Sequence, residues 1–274
     1  MTVKSGPVQK GMSRVSDRAL LIFAGLIYLF LYAPIGIVMF FSFNSAKSTQ
    51  NLAGFSTRWY GELLRDQTVL DAFHNSLFVG VIATAIATVI GTLTALALSR
   101  HEFRGKTFAD SSIYAATVMP EIVVGVSLLV FFVAAGVGLG ITTIVIAHVA
   151  FTISFVTIVV RARLSGMDRS LEEAAQDLGA SPMQTFWRVT LPLILPGVMA
   201  GAMLAFTLSF DDFVITFFVS GVGSSTLPLK IYSMLKFGVT PVINALSTVV
   251  VLTTLVIILG ASRFLAGSDD KKGS

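Results

Sequence analysis

The chain has 274 residues, of which 54% are hydrophobic and 12% charged. Soluble domains carry about a quarter charged residues, so the composition is that of an integral membrane protein. There is no cysteine, which excludes disulfides, thiol catalysis and cysteine zinc clusters, and three scattered histidines (His74, His101, His148) exclude a histidine-rich metal site.

Residues 1–18 form a polar tail with Lys4, Lys10, Arg14 and Arg18, and an apolar run follows over 19–43. That run is too long for a signal-peptide core and lacks a small-residue cleavage site, so it reads as a retained span. Residues 44–72 are mixed and polar, an outer loop in which Trp59 and Tyr60 read as interfacial anchors. A core over 73–265 then carries five further apolar runs, about Asn75–Leu98, Ser111–Ala135, Ile141–Val160, Leu193–Ser220 and Val242–Leu265. Each is long enough to cross ~30 Å of hydrocarbon at ~1.5 Å per residue. Only Gly136–Gly140 separates the third run from the fourth, a tight hairpin. Residues 266–274 form a second polar tail. The expected fold is all-α with six transmembrane helices, the first peripheral and the second to sixth packed as one core.

Orientation follows from Lys and Arg. The two tails, Arg263 just before the second, and the loops 99–107 and 161–190 hold 14 of them, whereas the opposite side holds 5 (Lys47, Arg58, Arg65, Lys230 and Lys236). Both termini and the 161–190 loop are therefore expected in the cytoplasm. The net charge of +4 does not point to nucleic acid, because these residues sort by membrane side. Residues 100–107 (RHEFRGKT) end like a phosphate-binding loop, but Arg100 stands where its first glycine is required and no buried strand precedes it. Gly221-Val222-Gly223 is not followed by a helix start and is weak as a dinucleotide fingerprint. With no phosphate-binding loop the chain is not expected to hydrolyse ATP.

The polar stretch Ser170–Pro192, SLEEAAQDLGASPMQTFWRVTLP, lies between two long apolar runs. Ser170 with Glu173 three residues on reads as a capping box. Leu171, Ala174, Ala175 and Leu178 then make one apolar helix face. Gly179 sits where a helix ends in the left-handed conformation. Ser181, Pro182 and Gln184 read as the cap, first residue and box partner of a second helix. Gly197 and Gly201 beyond Pro196 allow close helix approach or ease the chain past its prolines.

Glu173-Ala174-Ala175, Gly179 after three residues, and Val189-x-Leu191-Pro192 after nine more resemble the EAA loop of bacterial binding-protein-dependent ABC importers. The family pattern is EAA-x3-G-x9-I-x-L-P, and Val189 for Ile is the single departure. The resemblance implies a type I ABC importer permease fold. It also implies that 161–192 is a coupling loop docking on a separate ATPase through Glu173, Ala174, Ala175, Leu178, Gly179, Ala180 and Ser181. ATP and Mg would be bound by that ATPase, leaving no cofactor in this chain.

Three acids lie inside apolar runs: Glu121 in the third, Asp211 and Asp212 in the fifth, with no Lys or Arg in either of those runs. An ionised carboxylate in hydrocarbon commonly costs several kcal/mol, so such groups face a bundle interior or watery cavity. One reading is structural, with each carboxylate bonded to backbone or to Ser and Thr. The other is a negative route for a cationic cargo. Residues 211 and 212 would project ~100° apart on a helix, so both cannot face one narrow path. Phe206, Phe210, Phe213 and Phe217 fall at helical spacing and form a stripe, facing lipid or core, or an amine.

Residues 209–246, SFDDFVITFFVSGVGSSTLPLKIYSMLKFGVTPVINAL, with MPEIVVGVSLL at 119–129, are similar to the permeases of spermidine/putrescine importers over roughly Asn75–Leu265. The resemblance implies a bacterial inner-membrane subunit working with a second related permease, an ATPase dimer and a periplasmic polyamine-binding protein, in contact with lipid and not with nucleic acid. Glu121, Asp211, Asp212 and Tyr232 are read as the residues of the substrate pathway, and linear polycations fit these acids independently of the resemblance. Relatives moving other amines or amino-acid derivatives share much of this region. An ion-coupled secondary transporter would also place acids in its spans, but it would show an internal repeat, and the EAA-type loop occurs once.

Overall fold

The computed structural model describes residues 9–47 and 51–270; the outer ends of the two expected tails, 1–8 and 271–274, lie outside the described residues. Among the described residues every regular element is helical, and the extended pairing is limited to one isolated bridge, Asn44 with Phe55. The chain forms two compact units. One contains the chain as far as Arg65 together with Phe237–Leu255; the other contains Asp66–Lys236 and the chain from Val256 onward.

In the first unit α1 (Gln9–Ser42) leads into an outer loop and the short α2 (Arg58–Leu63); α12 (Pro241–Asp270) supplies the remainder. Trp59 is not a surface anchor. It is 4% exposed, and its indole N–H donates to the Asn44 carbonyl at 2.6 Å. A buried indole needs such a partner, and the loop supplies one by folding back. The Tyr60 hydroxyl likewise meets Ser42 Oγ at 2.7 Å.

The second unit begins with α3 (Gln67–Arg100), whose start is capped by Asp66 accepting from the Thr68 N–H at 2.9 Å. Next come α4 (Lys106–Val118), α5 (Glu121–Ala134) and α6 (Ile141–Ser165). The polar loop holds α7 (Ser170–Asp177) and α8 (Pro182–Thr185), and α9 (Leu191–Asp211), α10 (Val214–Val219) and α11 (Leu227–Leu235) complete the unit. A widened π turn over Phe186–Thr190 joins α8 to α9. Pro192 follows it, and its ring would clash with the Arg188 carbonyl in a regular helix.

Four helices are long and apolar enough to cross a membrane: Ala19–Ser42, Gln67–Arg100, Ile141–Ser165 and Pro182–Asp211. The third expected span is instead a pair, α4 and α5, bent by 112° at Met119–Pro120. Pro120 has no N–H to continue the ladder and forces Met119 into extended backbone, φ −67° and ψ 133°. The fifth expected span also breaks, leaving the helix at Asp212 and restarting at Val214. In α12 the described apolar stretch is Pro241–Val256.

Helices α3, α6 and α9 pack against one another in pairs, around Ala87, Ala95, Val156, Val160, Ile194 and Ala205. Small residues set the closeness. A Cβ on Gly91 would meet Val156 at 2.8 Å, and one on Gly197 would meet Arg163 at 2.6 Å. Gly197 and Gly201 therefore face α6, which decides between the two readings of that pair. A second core, built from Val79, Phe132, Ile144, Phe151, Ile215 and Val219, ties α10 to α3, α5 and α6.

Gly91→Val should destabilise the protein by about 1–3 kcal/mol through overpacking. Gly36→Ala, where nothing lies within 4 Å, should cost nothing measurable. Thermal midpoints of the detergent-solubilised variants check both, and equal midpoints would contradict the packing described.

Candidate functional site

Two polar features interrupt the apolar body, the 161–192 loop and the three acids of the apolar runs. In the loop, Asp168 rather than Ser170 organises the start of α7. Its carboxylate accepts from the Ser170 N–H at 2.9 Å, and that bond holds the Asp168 carboxyl below the usual carboxylate range. The expected box between Ser170 and Glu173 is displaced, because a charged acceptor two residues upstream competes for the same orphan donors.

The end of α7 is as the sequence suggests. Gly179 has φ +88°. Its N–H donates to Gln176 O at 2.8 Å and the Ala180 N–H to Ala175 O at 3.0 Å, the paired bonds of a left-handed helix stop. Ser181 Oγ accepts from the Gln184 N–H at 3.3 Å while Gln184 returns a bond to the Ser181 N–H at 3.0 Å, so the second capping box is complete.

An anchor that sequence reasoning missed is Glu172. One of its oxygens pairs with Arg100 Nη2 at 3.2 Å and the other accepts from the Thr190 hydroxyl at 2.7 Å. Arg169 adds a bond to the Ser99 carbonyl at 3.3 Å. The loop is thus tied to the end of α3 and to the turn before α9, beside a cleft of about 380 Å³. Glu173, Ala174, Ser181, Leu171, Leu178, Met183 and Trp187 are all exposed, Leu178 at 90%. The loop therefore holds itself by polar ties and leaves apolar side chains uncovered.

The acids sit at the two helix breaks. Glu121 is exposed in the first turn of α5, just past Pro120, where a helix N-terminus favours a carboxylate. Asp211, the last residue of α9, is also exposed. Both aspartates are near enough to Glu121 to interact with it electrostatically. Asp212 is turned inward and is 8% exposed. Its carboxylate accepts from the Thr216 N–H at 2.8 Å, the Thr216 hydroxyl at 2.9 Å and the Ile215 N–H at 3.3 Å. It also lies 3.2 Å from His148 Nε2. The two neighbours are separated more completely than helical projection would separate them, because the helix ends between them.

That break also splits the phenylalanine stripe. Phe206 and Phe210 stack within α9 at 5.6 Å between centroids. Phe213 and Phe217 join Tyr232 of α11 at 4.6 and 6.2 Å instead. The Lys236 ammonium already rests over the Tyr232 ring at 4.9 Å. The α11 segment is pinned to α3 by Ser76, whose hydroxyl accepts from the Leu227 N–H at 2.8 Å. Among the described residues no group of three or more His, Cys, Asp or Glu side chains is placed to hold a metal ion.

A family model described as "Binding-protein-dependent transport system inner membrane component" matches residues 87–266. The chain is 43% identical over 252 residues to the spermidine/putrescine transport system permease protein PotC of Escherichia coli (strain K12), covering 92% of this chain and 95% of that one. It is 46% identical over 230 residues to the putrescine transport system permease protein PotI of the same strain, covering 81% and 82%. Its fold is similar to a chain of a bacterial alginate ABC transporter in complex with alginate pentasaccharide-bound periplasmic protein, with TM-score 0.69 at 16% identity over 95% of this chain and 96% of that one. An inward-facing MetNI methionine ABC transporter chain aligns with TM-score 0.62 at 19% identity, over 78% and 99%. At those identities the likeness is one of fold, an all-helical type I ABC permease fold.

Glu172→Gln should weaken the ties of α7 to α3 by about 1 kcal/mol, the scale of a partly exposed ion pair. Amide hydrogen exchange over 170–180 should then speed up severalfold, with exchange in α6 unchanged. Unchanged exchange in the loop would remove Glu172 from its anchoring role.

Proposed function

This chain belongs to the family of binding-protein-dependent transport system inner membrane components, and we propose that its cargo is a polyamine, spermidine or putrescine, carried from periplasm to cytoplasm. The observation that carries this reading is the pair of exposed carboxylates, Glu121 and Asp211, at two helix breaks. Neither makes an ion pair among the described residues. Linear polycations are the complementary cargo. The names of the relatives PotC and PotI support the same class.

In this reading the chain crosses the inner membrane six times with both termini in the cytoplasm. Support comes from the 14 to 5 partition of Lys and Arg and from the sixth apolar run in α12. The first helix (19–43), the periplasmic loop (44–72), the core (73–265) and the tails keep the boundaries read from the sequence. The chain pairs with a second related permease and rests on an ATPase dimer that binds ATP and Mg. A periplasmic binding protein delivers the cargo. Access alternates as the ATPase dimer opens and closes.

The loop from Glu173 to Ser181, including Ala174, Ala175, Leu178, Gly179 and Ala180, is the contact with the ATPase. Its uncovered apolar side chains need a partner groove. Glu121, Asp211 and Tyr232 face the cargo route, whereas the Asp212 carboxylate, engaged with Ile215, Thr216 and His148, lies behind it. No tight site is needed, because the binding protein supplies selectivity.

Gly179→Val should leave the protein in the membrane and abolish uptake, because a β-branched residue is strained at positive φ by about 1–2 kcal/mol and the reversal is lost. Cargo-stimulated ATP hydrolysis of the assembled importer is the measurement, and a normal rate would sink the docking assignment.

Glu121→Gln and Asp211→Asn remove charge while keeping shape. A contact at ~4 Å and an effective dielectric near ~20 is worth up to ~4 kcal/mol before desolvation. The net loss should be nearer ~1–2 kcal/mol, or ~10-fold in radiolabelled polyamine uptake at matched membrane levels. Wild-type uptake in both variants would leave the cation argument without support.

A further inference from the structure

His148 has no part in the reading above, yet it is 1% exposed inside α6 and every polar atom of its ring is engaged. Nδ1 meets Ser209 Oγ at 2.7 Å in the last turn of α9. Nε2 meets Thr216 Oγ1 of α10 at 3.0 Å and Asp212 Oδ1 at 3.2 Å. One imidazole therefore straddles the break, touching the segment before it, the residue at it and the segment after it. The hydrogen positions follow from the donors. The Thr216 hydroxyl donates to Asp212, so its oxygen is left to accept and Nε2 carries a hydrogen. In the tautomer with its hydrogen on Nε2, the Ser209 hydroxyl donates to Nδ1.

A second tie runs from the same helix. The Thr143 hydroxyl donates to the Val219 carbonyl at 2.8 Å, where α10 ends. Helix α6 thus holds α10 at both ends and holds the final turn of α9, whereas Asp211 stays outside the network.

We propose that His148 is a positioning residue for the cargo route: it fastens both sides of the break to α6, engages Asp212 as part of that fastener, and leaves Asp211 as the aspartate that meets the cargo. Two adjacent acids then have different work. Asp212 is a structural acceptor whose loss resembles loss of His148, and its effect on transport passes through the shape of the break.

The cargo half of this inference rests on the polyamine reading; the fastener half does not, and the experiment separates them. The assembled importer is reconstituted in vesicles and read as polyamine taken up per ATP hydrolysed. His148→Leu and Asp212→Asn should each lower that ratio about tenfold, and the double variant should fall no further, as expected for residues in one network. His148→Gln should retain most of the ratio, because its amide NH2 donates where Nε2–H does and its oxygen accepts where Nδ1 does. His148→Leu combined with Asp211→Asn should multiply the two losses.

The same variants are compared by thermal midpoint of the solubilised complex, a readout that needs no cargo. There the shifts of His148→Leu and Asp212→Asn should again fail to add. The fastener is overturned if those two variants combine independently in both readouts, if Gln is no better than Leu, or if uptake and hydrolysis fall in proportion as a folding defect would make them. If vesicles with the unaltered chain carry no polyamine, the cargo reading fails and the thermal comparison alone decides the role of His148.

Discussion

A helix that stops inside hydrocarbon has no water to take over its freed N–H and C=O groups, so protein atoms must do so. The same need for protein partners applies at both interruptions in the second unit, which fall within apolar runs. At Met119–Pro120 the chain turns at a residue that has no N–H to satisfy, and the bend needs few partners. At Asp212 no such residue is present, and the freed donors of α10 are taken up by one carboxylate. The break there is held by side chains, and it persists only while they remain in place.

Close packing makes that support rigid. Helix α6 can hold the break because it is itself locked between α3 and α9, where Gly91, Gly197 and a series of alanines bring the backbones together. Without a hydrophobic drive between helices in lipid, such small-residue contacts carry much of the association. The polar ties at the other end follow the same economy of parts. Arg100, Glu172 and Thr190 join three segments through one carboxylate, so the exposed loop projects from a fixed base.

The sequence was most informative where local chemistry decides conformation. Gly179 at positive φ, the Ser181–Gln184 box and the Gly136–Gly140 hairpin depend on neighbours within a few positions, and each appears in place. The apolar runs also located the four helices that are long and apolar enough to cross a membrane. Breaks inside those runs were less legible. Pro120 marked one in plain view; at the other, Asp212 caps the restart by accepting from the Ile215 and Thr216 N–H groups, and its other partner, His148, lies 64 positions upstream. A lone histidine in an apolar run was a signal that it had partners to find. Glu172 was passed over because its neighbour Glu173 matched a motif, whereas ion pairs between distant segments leave no local pattern. Trp59 looked like a surface anchor because composition cannot tell an indole at an interface from one folded under a loop.

The continuity of the helix from Pro182 to Asp211 has a mechanical meaning. Those 30 residues form one helical span that includes the π turn at Phe186–Thr190, and at ~1.5 Å per residue they measure roughly 45 Å. The same rod begins beside the exposed loop and ends at the aspartate next to the break. About a fulcrum near Gly197, 14 residues or roughly 21 Å from Asp211, a tilt of about 5° would move the aspartate by roughly 2 Å, enough to make or break its contact with an ammonium group. Leverage of this kind needs no relay of side chains between the two ends, only stiffness in the rod and a fulcrum, which α6 supplies where Gly197 and Gly201 lie against it.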